Sequence, residues 1–175
     1  LKDLINGLID NFKDQHVSIS LPSLRVDSFS IELAKRVKTI RKSGLTFAPE
    51  AGTQRMRNVI NKNVTEQDLE DAVRAAFESG WTSLKLYFMI GLPTETDEDV
   101  RGIANLAKNV VDIYYDVTGR RNVNITVSVS SFVPKPHTPF QWFGQNTKTE
   151  IERKQALLRS IIKDRRISLN WHDAE

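Results

Sequence analysis

Four short segments gather most of the side chains that could do chemistry. The first, PSLRVDSF (22–29), holds Ser23, Arg25 and Asp27. The planar guanidinium of Arg25 suits a carboxylate or phosphate; an ion pair with Asp27 or Glu50 is the plainer alternative. The second, PEAGTQRMR (49–57), places Glu50 before Ala51, Gly52 and Thr53. That carboxylate can accept from an amine or from ribose hydroxyls, or it can serve a helix that starts near Thr53. Gly52 permits close backbone approach or a positive φ. The third segment runs from Met89 and Ile90 through GLPTETDED (91–99). Ile90, Gly91 and Leu92 form an apolar stretch whose backbone amides and carbonyls suit the edge of an adenine. Glu95 follows, where an acidic residue at a helix start is also ordinary. The fourth, PKPHTPFQWF (134–143), contains His137 with no second histidine or cysteine near, so no metal site is expected there. Phe140, Trp142 and Phe143 read as loop packing, and His16 and His172 as structural. Lys85 stands apart. Period-2 alternation puts Lys85, Tyr87 and Met89 on one strand face and Leu84, Leu86, Phe88 and Ile90 on the other. A lysine inside a closed barrel needs a carboxylate or a ligand anion; one at the strand's entry end reaches solvent.

The elements that must position these residues are legible from pattern. Apolar, β-branched runs at Val17–Leu21, Leu45–Ala48, Ser83–Ile90 and Asn124–Val133 read as strands, and a proline follows each closely. Helical spacing marks Ser30–Lys42, Glu66–Ser79, Asp97–Asp116 and Glu150–Arg166. Thr65 with Asp68, and Thr96 with Asp99, are capping pairs, and Gly80 stands where a helix-ending glycine belongs. The last helix turns Ile151, Leu157, Leu158, Ile161 and Ile162 inward. Its basic residues, Arg153, Lys154, Arg159, Lys163, Arg165 and Arg166, read as a solvated face. Ile167–Trp171 looks like a strand just begun, and Pro134–Thr147 like an ordered loop. Alternation of this kind gives an α/β fold with a parallel sheet, either doubly wound or part of a (β/α) barrel. Both place ligands at the carboxyl ends of the strands, where the four segments lie.

Composition bounds the rest. The chain has 175 residues, 39% hydrophobic and 27% charged, with a net charge of +3. It is long enough for one domain that buries roughly 70% of its unfolded surface. It has no cysteine, which excludes disulfides, thiolate catalysis and a cysteine-ligated cluster within this chain. No apolar run is long enough to span a membrane, no secretory leader is recognisable, and a cytoplasmic location is expected. The start, with Leu1 and a helical pattern already under way, suggests a piece of something longer.

In order, the four segments resemble the later part of a radical S-adenosylmethionine (radical SAM) domain. The nearest likeness is to a little-characterised group of Fe–S oxidoreductases with a cobalamin-binding-like domain in front. ISLPSLRVDSFS is similar to the third barrel strand and its turn. GLTFAPEAGTQRMRNVINKNVT is similar to the fourth, LKLYFMIGLPTETDEDV to the fifth-strand adenine motif, and SSFVPKPHTPFQW to the sixth. ISLNWHD resembles the segment leading out of the domain. The resemblance covers nearly the whole chain. It implies that residues 1–175 are the C-terminal portion of a partial TIM-type barrel, covering about strands three to six. The cysteine loop that binds the 4Fe–4S cluster is absent. It further implies S-adenosylmethionine as cofactor, with Ser23 and Arg25 at its carboxylate, Glu50 at its amine or ribose, and Ile90, Gly91 and Leu92 along its adenine. The cluster would belong to the parent protein only. There, cleavage of S-adenosylmethionine gives a 5′-deoxyadenosyl radical that abstracts a hydrogen atom, and this piece alone would be inactive. The substrate is not readable, although RNA or protein is in keeping with the group. A cut barrel exposes a strand edge, so self-association is expected. Two competitors are a small α/β enzyme for a phosphorylated ligand, using Arg25, Lys85 and Glu50, and a non-catalytic module binding RNA or protein through basic helices. The first lacks a glycine-rich phosphate loop.

Overall fold

The structure, a computed structural model, describes residues 45–171 together with Gly7, Asn11 and Phe12. The strand expected at Val17–Leu21, the helix at Ser30–Lys42, and the candidates Ser23 and Arg25 lie outside the described residues. So do His16 and His172.

Eight elements follow one another: β1 (Leu45–Glu50), α1 (Gln54–Val59), α2 (Glu66–Glu78), β2 (Ser83–Ile90), α3 (Asp97–Thr118), β3 (Asn124–Ser131), α4 (Lys148–Ile161) and β4 (Ile167–Trp171). The four strands are parallel and lie in the order β1-β2-β3-β4. A doubly wound sheet reverses its strand order at a switch point; among the described residues this one does not. The alternate residues Leu84, Leu86, Phe88 and Ile90 of β2 join Ile125, Val127 and Val129 of β3 and Ile167 of β4 in one core. That core includes Leu69, Val73 and Phe77 of α2, Val100, Ile103 and Val110 of α3, and Ile151 and Leu158 of α4. All three long helices therefore cover the same face of the sheet. Sequential parallel strands with helices on one side make the wall of a barrel, and the chain is an α/β partial TIM-type barrel.

Local signals explain the element ends. In α2, Thr65 N–H donates to Asp68 Oδ2 at 2.8 Å and Asp68 N–H donates to Thr65 Oγ1 at 3.1 Å, which satisfies orphan amides of the first turn. Gly80 (φ 84°) closes that helix with its N–H on the Phe77 carbonyl at 2.8 Å. Gly119 (φ 66°) ends α3.

Several boundaries differ from the sequence expectation, most of all the end of α4 and the end of β1. The helix expected to run to Arg166 stops at Ile161. Ile162 is already extended (ψ 97°), and Asp164 Oδ1 accepts from Arg166 N–H at 2.9 Å to start the turn into β4. Ile167–Trp171 is a formed strand, paired in register with Ile125–Val129. β1 continues two residues further than expected, through Pro49 to Glu50, with a register shift between Phe47 and Glu50.

Candidate functional site

Among the described residues, four that are not glycine have a positive φ: Asn61 (φ 54°), just after α1, and three at or beyond the carboxyl ends of β1, β2 and β3. The three are Glu50 (φ 68°), the last residue of β1, Thr94 (φ 64°) in the loop after β2, and His137 (φ 62°) in the loop after β3. Such residues persist only where their surroundings over-determine them, and they mark functional loops. The irregularity at the end of β1 and the left-handed φ together turn the Glu50 side chain out over the strand ends.

A cleft of about 480 Å³ opens there, lined by Glu50, Ile60, Lys62, Met89, Leu92, Ser130, Ser131, Phe132, Val133, Lys135, Thr138 and Phe140. One rim is charged: Lys62 Nζ lies 3.2 Å from Glu50 Oε1, both half-buried. The floor is apolar, because Ala51, Met56, Leu92 and Phe132 form a second small core with Ile60, Met89 and Phe140 against it. Phe140 meets Phe132 edge-on at 6.1 Å and Phe143 at 5.4 Å, so the proline-rich loop is held by its own rings. Trp142 does not share that packing; it is 89% exposed.

The loop that carries Glu50 is fixed by contact with α3. A Cβ on Gly52 would lie 2.2 Å from Ile103 N and 2.5 Å from Asp99 O, so the glycine is there for close approach. Asp99 ties the two segments together. Its carboxylate accepts from Thr53 Oγ1 at 2.5 Å and from Thr96 N–H and Oγ1, both at 2.8 Å, and it pairs with Arg55. Burial opposes ionisation of Asp99, but the hydrogen bonds from Arg55, Thr53 and Thr96 outweigh it and hold the carboxyl well below the usual carboxylate range. Arg55 also donates to the Thr94 carbonyl at 2.9 Å and so joins the loops after β1 and β2. Arg57 is buried beneath them, donating to the Ala51 carbonyl at 3.1 Å and to Gln54 Oε1 at 3.3 Å; burial lowers its pKa.

The loop after β2 is braced from behind. Lys154 Nζ lies 2.7 Å from Glu95 Oε1, with side chains only 5% and 2% exposed. The same Glu95 oxygen accepts from Gly91 N–H at 2.8 Å, and Lys154 donates to Asn146 Oδ1 at 3.0 Å. The expectation of a solvated basic face on the last helix therefore fails at Lys154. Ile151, Lys154, Gln155 and Leu158 are the buried residues of α4. They are spaced i, i+3, i+4, i+7, so Lys154 sits in the inward stripe, where a carboxylate must meet it.

Of the candidates read from sequence, Glu50 and Leu92 line the cleft. Ile90 lies beside it with its side chain in the main core, and its carbonyl accepts from Phe132 N–H at 2.8 Å. The Gly91 amide is taken by Glu95. His137 is exposed on the loop, with its N–H on Gln141 Oε1 at 3.2 Å. Lys85 and Tyr87 are on the sheet face away from the helices. Lys62 and Arg55 carry no site signal in the sequence, and Lys154 reads there only as part of a solvated basic face.

Among the described residues, no three His, Cys, Asp or Glu are grouped to hold a metal ion, and no helix is long and apolar enough to cross a membrane. Comparison with known proteins agrees with the barrel. The chain is 39% identical over 129 residues to an uncharacterized protein of Methanocaldococcus jannaschii, covering 73% of this chain and 26% of that protein. It is 36% identical over 93 residues to an uncharacterized methyltransferase of Pyrococcus horikoshii, covering 53% of this chain and 20% of that protein. The matches thus span about a quarter and a fifth of these relatives. Residues 1–107, more than half of the sequence and including Glu50, Leu92 and Glu95, match the radical SAM superfamily. The chain belongs to the radical SAM superfamily.

Proposed function

We propose that this chain forms the S-adenosylmethionine-binding side of a radical SAM enzyme and acts as part of a longer protein. The observation that carries this reading is the cleft at the strand ends, with a carboxylate on one rim, an apolar floor and serine hydroxyls opposite. Its volume of about 480 Å³ falls within the roughly 300–1,000 Å³ of small-molecule sites. The donor set suits S-adenosylmethionine, which has a cationic amino-acid end, ribose hydroxyls and a flat purine. Glu50 would accept from the amine or the ribose, with Lys62 fixing its carboxylate. Leu92, Met89 and Phe132 would bound the adenine and exclude water, while the Glu95–Lys154 brace holds the Ile90–Gly91–Leu92 backbone still. Ser23 and Arg25 are proposed for the carboxylate end. In this superfamily bound S-adenosylmethionine supplies radical chemistry that removes a hydrogen atom from a substrate.

The residues of this chain do not fit a 4Fe–4S cluster, since it contains no cysteine and cluster ligation calls for thiolates. The cluster's ligands would come from elsewhere in the longer protein, and this chain alone would not cleave S-adenosylmethionine. The substrate of the whole enzyme is proposed to be RNA or protein.

The test is isothermal titration of S-adenosylmethionine into the anaerobically reconstituted full-length protein. A hydrogen bond to a charged group contributes about 1.5–3 kcal/mol, so Glu50→Gln should weaken binding roughly 10- to 100-fold. Unchanged affinity would remove Glu50 from the site, and no binding by the wild type would defeat the reading. Product analysis should look for both 5′-deoxyadenosine and S-adenosylhomocysteine, because one relative carries the name of a methyltransferase.

A further inference from the structure

The face of the sheet turned away from the helices does not look like a structural interior. Parallel sheets are ordinarily apolar on both faces, and barrel interiors are filled with bulky branched side chains. Here the register lines up Thr46, Lys85, Thr126 and Ser168 in one row across all four strands. The next row toward the strand ends has Tyr87, Ser128 and Asn170. With strands about 4.8 Å apart, the first row spans roughly 14 Å. Lys85 is the one charged side chain in these two rows, and among the described residues no carboxylate lies within ion-pair distance of it. Its ammonium lies 4.6 Å from the centre of the Tyr87 ring. Tyr87 is two residues further up the strand, so the side chain of Lys85 leans toward the end where the cleft opens. Tyr87 itself is 37% exposed. Hydroxyls, an amide and an ammonium on a wall that could have been Val and Ile would be a cost to stability if they were sealed without partners. They make sense on a surface that holds a polar ligand.

We propose that this face, centred on Lys85, binds the oxyanion of the substrate, a phosphate or a carboxylate, with Thr126, Ser128 and Asn170 hydrogen-bonding around it. The proposal rests on the reading above only in that the ligand it describes is the substrate. The binding itself is a property of the face and is measured without S-adenosylmethionine.

The probes are inorganic phosphate and acetate, at constant ionic strength kept with chloride, titrated into the full-length protein. Its lysines are reductively dimethylated with ¹³C, which keeps their charge. The Lys85 methyl resonance is displaced by the Tyr87 ring current and is identified by its loss in Lys85→Arg. It should move saturably with one probe or both and not with chloride, and the stronger probe names the oxyanion. The probe should also raise Tm in the wild type and in Lys85→Arg, while in Lys85→Gln its apparent affinity falls about tenfold or more. S-adenosylmethionine affinity should be unchanged in Lys85→Gln. A Lys85 resonance that moves no more than that of exposed Lys108 would overturn the proposal. So would competition between phosphate or acetate and S-adenosylmethionine, because Lys85 would then serve the cofactor's own carboxylate. If the wild type fails to bind S-adenosylmethionine while Lys85 still responds to the probe, the cofactor reading fails and the anion site stands.

Discussion

Two carboxylates, Glu95 and Asp99, do opposite kinds of work within five residues. Glu95 is sealed in with Lys154, and removing one partner of such a pair leaves an uncompensated buried charge. Lys154→Met should destabilise the protein by about 3–5 kcal/mol in urea unfolding, and adding Glu95→Leu should recover most of that loss. A shortfall of about 1 kcal/mol should remain because the Gly91 amide loses its acceptor. Asp99 is instead a hub of hydrogen bonds, and its pKa is depressed in the folded state. A depressed carboxyl stabilises the fold fully above its unfolded pKa, about 3.9. That contribution is lost as pH falls below this value toward the folded pKa. Asp99→Asn should therefore cost about 1.5–3 kcal/mol at pH 7, with the gap to wild type closing below about pH 4. A gap that stays constant to pH 2 would rule out the ionised carboxylate as its source. Asp99 was visible in the sequence as the capping partner of Thr96, but its bonds to Thr53 and Arg55 reach across more than forty residues, and no local pattern records them. Lys154 was within reach: it shares a helical stripe with Ile151 and Leu158, although its charge argued for the solvent side.

At the scale of elements, the strands and the two capped helices were legible because their causes are local: β-branched runs closed by proline, and Thr–Asp pairs at the helix starts. The failures have local causes too. The helical spacing read to Arg166 runs over Lys163, Arg165 and Arg166, good helix formers, but the Asp164 side chain between them offers the backbone a turn instead. The pairing of β4 could not be seen from five residues until β3 lay beside them. The loop after β1 depends on a contact between backbones, and a methyl group at Gly52 has no space to enter. Gly52→Ala should cost at least about 1–3 kcal/mol and weaken S-adenosylmethionine binding, since Glu50 moves with the loop. If stability falls and affinity does not, the loop and the site are independent.

On the scale of the whole molecule, the sheet of the described residues is a run of four consecutive barrel strands. Among the described residues β4 pairs only with β3, so one edge presents unpaired amides and carbonyls. The chain studied alone should therefore self-associate, with a sedimentation coefficient that rises with concentration. A monomer at all concentrations would mean that the edge is protected. The sequence points to the carboxyl ends of the strands because a parallel α/β fold gathers its strand-end loops there, and the cleft lined by Glu50 and Leu92 opens at that end. The fit of α3 against the β1 loop has a mechanical side. The helix has 22 residues and is about 33 Å long, so a tilt of about 3° about its far end carries its first turn roughly 1.7 Å. At Gly52 there is no side chain to absorb that displacement. A small rotation of the helix is therefore passed undamped to the Gly52 backbone, and through it to the loop that carries Glu50.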